Sequence, residues 1–253
     1  GPTTGKTSII GDSFEFDAQD DYVRVPSSNK FHFANGESFT VSAWILVSGG
    51  SNSFGMRIIN DRGTGPGGSY SGWQFKVAAD GNDGTTSGKW AFMDTAIDDN
   101  SGNYKEISID GSGGASGNEY NMGEWYHVVL RYRSDNDLQT WVNGNIDADL
   151  NVGTYGSISN SLPVAIGASI SSEGVEGEND QNFNGQISNT QIYNRALSQA
   201  EINQLYNQRS NRTQKTRNFV KAELYEPGGK ASDKESLDSY YTDSNFVKAR
   251  VHN

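Results

Sequence analysis

The sequence predicts an all-β fold, a two-sheet antiparallel jelly-roll sandwich with one short C-terminal helix and a small strand-containing tail. The 253 residues include 30 glycines but only five prolines, which indicates many tight turns. Short apolar and β-branched segments recur up to residue 193, and turn residues separate them. Aromatic residues make up 11% of a chain that is only 34% hydrophobic. We therefore expect a core of aromatic and β-branched side chains.

The predicted strands follow one another at a spacing that is typical of a sandwich or jelly roll. The segment 38–47, SFTVSAWILV, is almost continuously apolar, so we expect it to be buried on both faces. Asn143-Gly144 is the strongest kind of short hairpin signal. The predicted strands span residues 14–16, 22–25, 38–47, 57–59, 73–77, 89–92, 104–109, 125–132, 138–142, 162–166 and 185–193.

One helix and one change of composition divide the chain. Ser198-Gln-Ala-Glu201 is a capping box that precedes apolar residues at helical spacing, and we expect this helix to close the sandwich. Residues 1–209 then form one domain. Residues 210–253 form a C-terminal extension with an NFVKA repeat at 218–222 and 245–249. Two isolated strands are marginally stable in water, so we interpret the extension as an assembly element or the start of a further domain.

Charge and composition exclude several classes of partner. The net charge of −11 disfavours nucleic acid, because affinity for nucleic acid comes mostly from Lys and Arg that neutralise phosphates. The chain has no cysteine, which excludes disulfides, thiolate metal sites and a cysteine nucleophile. No apolar run approaches the roughly 18–20 residues of a membrane helix, so we expect no membrane insertion. An acidic surface is compatible with neutral polysaccharide or divalent cations.

An acidic segment precedes the last predicted strand. Four carboxylates lie within eight positions, at Glu173, Glu176, Glu178 and Asp180. Such a cluster is either a solvated loop or a site for a hard cation, because Ca²⁺ takes six to eight oxygen ligands. The residues alone leave both interpretations open.

Five motifs in a fixed order resemble the laminin G-like / concanavalin A-like jelly roll, in particular its bacterial and viral branch related to the pentraxins. The resemblance covers residues 8–208 and implies two packed antiparallel sheets. It also implies carbohydrate or glycoprotein binding, often with Ca²⁺, in an extracellular module, although a fold alone does not establish function. The motifs are FDAQDDYVRVP (16–26), FTVSAWI (39–45), EWYHVV (124–129), WVNG (141–144) and FNGQI (183–187), which runs into IYNRALS (192–198).

The resemblance implies two calcium positions. In pentraxins the ligands precede the Phe-x-Gly-x-Ile strand, which corresponds here to Glu176, Glu178, Asn179 and Asp180, with Asp61 as the acidic source on a second loop. Many relatives carry another ion near an Asp that follows this motif. This chain has Ser188-Asn189 there instead, so Asp17 and Glu37 would have to compensate for the missing charge.

Aromatic residues are the candidates for sugar contact, because sugars stack their C–H faces on exposed rings. We expect Trp44 and Trp125 to pack in the core, since both lie in the family motifs. The candidate ligand-binding residues are Tyr70, Trp73, Trp141 and Tyr155.

The catalytic alternative depends on one strand, Glu106-Ile-Ser-Ile-Asp110, whose alternation places Glu106, Ser108 and Asp110 on one face. Retaining glycoside hydrolases need two carboxyl groups about 5–5.5 Å apart, and the middle position here is a serine. We therefore predict a non-enzymatic carbohydrate- or glycoprotein-binding module, secreted or displayed on a cell or virion surface. The alternatives are a structural or assembly protein that self-associates through its tail, and a glycoside hydrolase.

Overall fold

Two antiparallel sheets and one short helix make up the fold, as the sequence predicts. The computed structural model describes residues 1–34, 36–50, 55–64, 70–80, 85–92, 95–99, 101, 103–108, 111, 113–135, 137–153, 156–169, 181–208, 241–243 and 246–248. In chain order the strands and helix are β1 (Thr3–Thr7), β2 (Asp12–Asp17), β3 (Val23–Val25), β4 (Phe39–Val47), β5 (Met56–Asn60), β6 (Gly63–Thr64), β7 (Tyr70–Ala79), β8 (Lys89–Phe92), β9 (Thr95–Asp98), β10 (Tyr104–Ile107), β11 (Tyr120–Asn121), β12 (Trp125–Tyr132), β13 (Asp137–Val142), β14 (Asn145–Asn151), β15 (Val164–Ile166), β16 (Asn184–Tyr193), α1 (Gln199–Asn207), β17 (Tyr241–Asp243) and β18 (Phe246–Lys248).

Strands that are distant in sequence become neighbours in both sheets. The first sheet has the order β1-β2-β16-β4-β12-β13-β14, and the second has the order β10-β9-β7-β5-β15-β3. In the second sheet β6 and β8 also pair with β7, and β11 pairs with β8. Such crossovers between sheets are expected of a jelly roll.

The core lies between the sheets and is rich in aromatic side chains, as composition predicts. Alternate residues of β7, namely Trp73, Phe75 and Val77, face this core and are fully buried. Phe39 from the opposite sheet approaches Trp73 with 5.7 Å between ring centroids. Burial of this apolar surface is the main force that holds the two sheets together.

Strand β4 is buried on both faces, which confirms the expectation from its apolar sequence. Val41, Ala43 and Ile45 face the main core, whereas Trp44 lies on the other side of the sheet. There Trp44 stacks on Tyr206 of α1, with 5.8 Å between ring centroids. The helix therefore covers part of the outer face of the first sheet.

Two local signals form as predicted. The capping box of α1 is complete, because Ser198 Oγ accepts from Glu201 N at 3.3 Å and Glu201 Oε2 accepts from Ser198 N at 2.8 Å. The turn between β13 and β14 has positive φ at Asn143 and Gly144, as a type I′ hairpin requires.

The tail contributes a strand pair to the first sheet. In this pair β18 contains Phe246–Lys248 of the second NFVKA copy and pairs with Gln191 and Ile192 of β16, while β17 pairs with β18. The first NFVKA copy lies outside the described residues. Among the described residues, no helix has the length and apolar character needed to cross a membrane.

Candidate functional site

Polar side chains gather on the outer face of the second sheet. Gln74 and Lys76 alternate with the core residues of β7, so their side chains lie on the opposite face. Gln74 Nε2 donates to the hydroxyl of Tyr104 on β10 at 3.1 Å, which joins the two strands across β9. The outer face of the second sheet is therefore polar here, whereas the inner face of β7 is aromatic.

One arginine connects two tyrosines on this face. The guanidinium carbon of Arg62 lies 4.2 Å from the ring centroid of Tyr70 and 5.0 Å from that of Tyr104. Its Nε and Nη2 donate to Asp98 Oδ2 at 3.0 and 2.9 Å. Tyr70 remains 48% exposed, whereas Tyr104 is half-buried. We call Arg62, Tyr70, Asp98 and Tyr104 the Tyr70 platform.

A glycine allows the Arg62 backbone to approach β7. Gly72 has φ +121°, and a Cβ at this position would lie 2.3 Å from the Asp61 carbonyl oxygen and 2.9 Å from Arg62 Cα. A larger residue would displace the segment that carries Arg62. Gly72 therefore helps to hold Arg62 beside Tyr70.

Asp98 of the Tyr70 platform and its neighbour Asp99 have pKa values shifted in opposite directions. Burial raises the pKa of Asp98, although the neighbouring Arg62 charge acts in the opposite direction. For Asp99, burial also acts to raise the pKa, but hydrogen bonds from Asn103, Gly156 and Ser101 outweigh it and lower the pKa. The Gly156 amide donates to Asp99 Oδ2 at 2.8 Å, so the chain next to Tyr155 is anchored here. Tyr155 itself lies outside the described residues.

Two of the predicted ligand-binding rings are buried, and that part of the prediction is corrected. Trp73 is fully buried and donates its indole N–H to the Phe31 carbonyl at 3.2 Å. Trp141 is 1% exposed, packs in the cluster beneath α1 and has the Arg131 guanidinium 4.6 Å from its ring centroid. Neither ring can stack on a sugar, because other protein atoms already cover both of them.

The predicted metal ligand Asp61 is also buried, which corrects its assignment to an exposed rim. Its carboxylate is fully enclosed, 3.7 Å from His32 Nδ1 and 3.5 Å from Asn160 Nδ2. Burial raises the pKa of Asp61 well above its usual range. The other predicted ligands, Glu176, Glu178, Asn179 and Asp180, lie outside the described residues, so their role stays a prediction.

At the second expected calcium position, which follows the Phe-x-Gly-x-Ile motif, Ser188 makes hydrogen bonds to other parts of the first sheet. Ser188 Oγ donates to the Asp12 carbonyl at 2.9 Å and lies 2.9 Å from Ser8 Oγ. These hydrogen bonds connect β16 to the start of β2 and to the segment before it, and no carboxylate takes part in them.

The residues expected to compensate at this position are not brought together. Asp17 pairs in register with Asn184, and Asn189 lies five residues further along β16, which places it roughly 15 Å away. Glu37 Oε2 accepts from Ala34 N at 2.7 Å within its own turn. Asp17 therefore lies too far from Asn189 to replace the missing charge there, which corrects this part of the expectation, whereas the role of Glu37 stays a prediction.

The predicted acidic strand is shorter than expected. Strand β10 ends at Ile107, and Ser108 leaves it to accept a hydrogen bond from Gly113 N at 3.1 Å. Glu106 and Ser108 therefore do not continue one regular strand face, and Asp110 lies outside the described residues. His127, on strand β12, is 1% exposed and packs against Trp44, so it has a structural position in the core beneath α1.

The sequence names Tyr70 as a candidate ligand-binding residue, and that role stays a prediction, whereas it does not single out Arg62, Asp98 or Tyr104. The three come from separate segments, and only the pairing of β9 with β7 and β10 brings them together. One signal was available, because Arg62 follows a predicted strand and precedes the glycine-rich loop that contains Tyr70.

Comparison with known proteins assigns the chain to a family. The family model described as Concanavalin A-like lectin/glucanases superfamily matches residues 17–203. A search of curated proteins gives no match.

Solved structures are similar in fold at low sequence identity. The binding domain of Paraclostridial Mosquitocidal Protein 1 is 16% identical with a TM-score of 0.55, over 88% of this chain and 47% of that one. The botulinum neurotoxin serotype D ligand binding domain in complex with N-acetylneuraminic acid is 18% identical with a TM-score of 0.55, over 88% and 46%. Domain 4 of AbnA, an extracellular arabinanase from Geobacillus stearothermophilus, in complex with arabinotriose, is 14% identical with a TM-score of 0.54, over 81% of each chain. This chain thus spans about half the length of the first two of these binding domains.

Proposed function

Because the chain belongs to the Concanavalin A-like lectin/glucanases superfamily, we propose that it is a carbohydrate- or glycoprotein-binding module that docks its ligand on the Tyr70 platform. The observation that carries the proposal is the cation–π contact of Arg62 with both Tyr104 and the half-exposed ring of Tyr70. A ring held in place by a cation loses little conformational entropy when a ligand stacks on it.

The chemistry of the Tyr70 platform suits a neutral glycan. The apolar C–H face of a sugar can stack on Tyr70, and its hydroxyls can bond to Arg62 and the Tyr104 hydroxyl. The Arg62 charge is already paired with Asp98, and the whole chain carries a net charge of −11. An anionic sugar would therefore meet a neutralised arginine in a negative field.

Solved neighbours support the class of ligand. One similar structure is a complex with arabinotriose and another is a complex with N-acetylneuraminic acid. Both ligands are sugars, although at 14% and 18% identity the likeness to these structures extends to the fold alone. We also propose that the protein is secreted or displayed on a cell or virion surface, and that it binds its ligand without catalysing a reaction.

A glycan array tests the proposal directly. Wild type is expected to bind neutral glycans, and Tyr70→Ala to lose at least tenfold in affinity, because it removes the exposed ring. Tyr22→Ala is the matched control, since Tyr22 is a 37% exposed tyrosine outside the Tyr70 platform. A blank array with wild type, or equal losses in the two variants, would contradict the proposal.

The alternative is a structural or assembly role. One observation favours it: β18 of the tail joins the first sheet by pairing with β16. The same pairing, made by the tail of a neighbouring copy, would link two molecules. Hydrolysis of the bound glycan on the array would instead favour the glycoside hydrolase.

A further inference from the structure

The turn between β2 and β3 gathers three carboxylates. Asp17 ends β2, and Asp20 and Asp21 follow before β3 begins at Val23. One carboxylate oxygen from each of the three lies within 4.8 Å of the other two. Asp17 and Asp20 are exposed, whereas Asp21 is buried. A cluster of this kind is common on protein surfaces, so its meaning depends on what lies beside it.

The spacing of these oxygens suits one hard cation. Oxygen ligands of Ca²⁺ lie about 2.3–2.6 Å from the ion, so two ligands on opposite sides are separated by about 5 Å. Three oxygens within 4.8 Å of one another therefore fit around a single ion without rearrangement of the backbone.

A buried amide provides a second, independent observation. Asn182, which precedes β16, is only 2% exposed. Its Nδ2 donates to the carbonyl of Gln19, within the Asp17–Asp21 turn, so the side chain is directed into that turn. Its Oδ1 is buried and has no hydrogen-bond partner among the described residues. Buried acceptors are rarely left unsatisfied, and an amide oxygen is a good Ca²⁺ ligand.

We propose that Asp17, Asp20, Asp21 and the amide oxygen of Asn182 bind one Ca²⁺ ion, with water completing the coordination. Strand β2 belongs to the first sheet and β3 to the second. The ion would therefore hold together the crossing between the sheets and the start of β16. This site is separate from the Tyr70 platform and does not depend on the proposed glycan binding.

Calcium titration of the metal-free 253-residue chain tests the proposal. We expect isothermal titration to give one site per chain, and Ca²⁺ to raise the melting temperature relative to EGTA. Asp20→Asn is expected to weaken Ca²⁺ binding at least tenfold. Its melting temperature in EGTA should match that of wild type, because Asp20 is exposed and the substitution keeps the size of the side chain.

Two further variants show whether the calcium effect arises at the Asp17–Asp21 turn. Asp135→Asn removes an exposed carboxylate whose ion pair is with Arg133, and it should leave the affinity unchanged. Glu178→Ala changes the acidic segment and should retain the calcium-induced shift. The proposal is overturned if wild type shows no shift, or if Asp20→Asn retains the wild-type affinity. Because Tyr70→Ala should still bind Ca²⁺, failure of this proposal is distinguishable from failure of the glycan proposal.

Discussion

Asp61 and Arg62 are adjacent in sequence, yet their side chains have opposite surroundings. Asp61 is fully buried beside His32 and Asn160, whereas Arg62 reaches the partly exposed Tyr70 platform. The backbone between them is held by Asn160, whose Nδ2 donates to the Asp61 carbonyl at 2.6 Å. The buried carboxylate therefore belongs to the support of the candidate site and not to its surface.

Asp61→Asn tests the state of this carboxylate. Because burial raises the pKa of Asp61 in the folded state, folding favours its protonated form. That contribution is complete below the unfolded pKa of about 3.9 and is lost as pH rises through the folded pKa. Asparagine at position 61 cannot ionise. The free energy of unfolding of the variant, relative to that of wild type, should therefore increase by up to ~1.4 kcal/mol per pH unit between the unfolded and the folded pKa of Asp61. Urea unfolding at pH 4, 6 and 8 measures the difference, and a constant difference would contradict the expectation.

At the scale of elements, α1 covers the outer face of β4, β12 and β13 in the first sheet. Beneath the helix, His127 lies with its ring centroid 5.3 Å from that of Trp44 and 6.2 Å from that of Tyr206. Its Nε2 is 2.9 Å from Ser42 Oγ on β4. Burial lowers the pKa of His127 to about 3, so the imidazole is neutral when the helix is docked.

This burial predicts acid sensitivity of the layer beneath α1. The unfolded chain binds a proton at His127 below a pH of about 6.5, whereas the folded chain does not until about pH 3. Stability is therefore present above pH 6.5 and is lost as pH falls through this window. His127→Gln should show a shallower fall in melting temperature between pH 7 and pH 5. His32, whose pKa burial also lowers, remains in the variant, so some dependence on pH should persist. Equal slopes for both proteins would contradict the argument.

At the scale of the whole molecule, the sandwich and its tail meet along β16. The first half of β16 pairs with β2, and Gln191 and Ile192 pair with β18 on the side opposite β4. Strand β18 thus pairs with the part of β16 that extends past the end of β2. It covers backbone N–H and C=O groups of β16 that a free edge would expose.

Deletion of residues 210–253 tests whether this pairing serves assembly. If the Tyr70 platform is the functional site, the deleted protein should keep its glycan binding, because the platform lies on the other sheet. If the tail has no role in assembly, the number of chains per particle should also stay the same. Light scattering measures the mass of the full-length and shortened proteins at matched concentrations. A full-length oligomer that becomes a monomer on deletion would support the assembly alternative instead.

The sequence by itself determined the sandwich, the capped helix and the Asn143-Gly144 hairpin, because alternation, capping and turn chemistry are local properties of the chain. Only the tertiary structure decided which rings remain accessible, since alternation defines two faces of a strand but not which of them another layer covers. In the folded chain Trp73 and Trp141 are buried, whereas Tyr70 is half exposed and Arg62 lies against its ring. The tertiary structure also set Asn182 against the Asp17–Asp21 turn. Contacts between such distant segments depend on strand pairing, which no local pattern encodes.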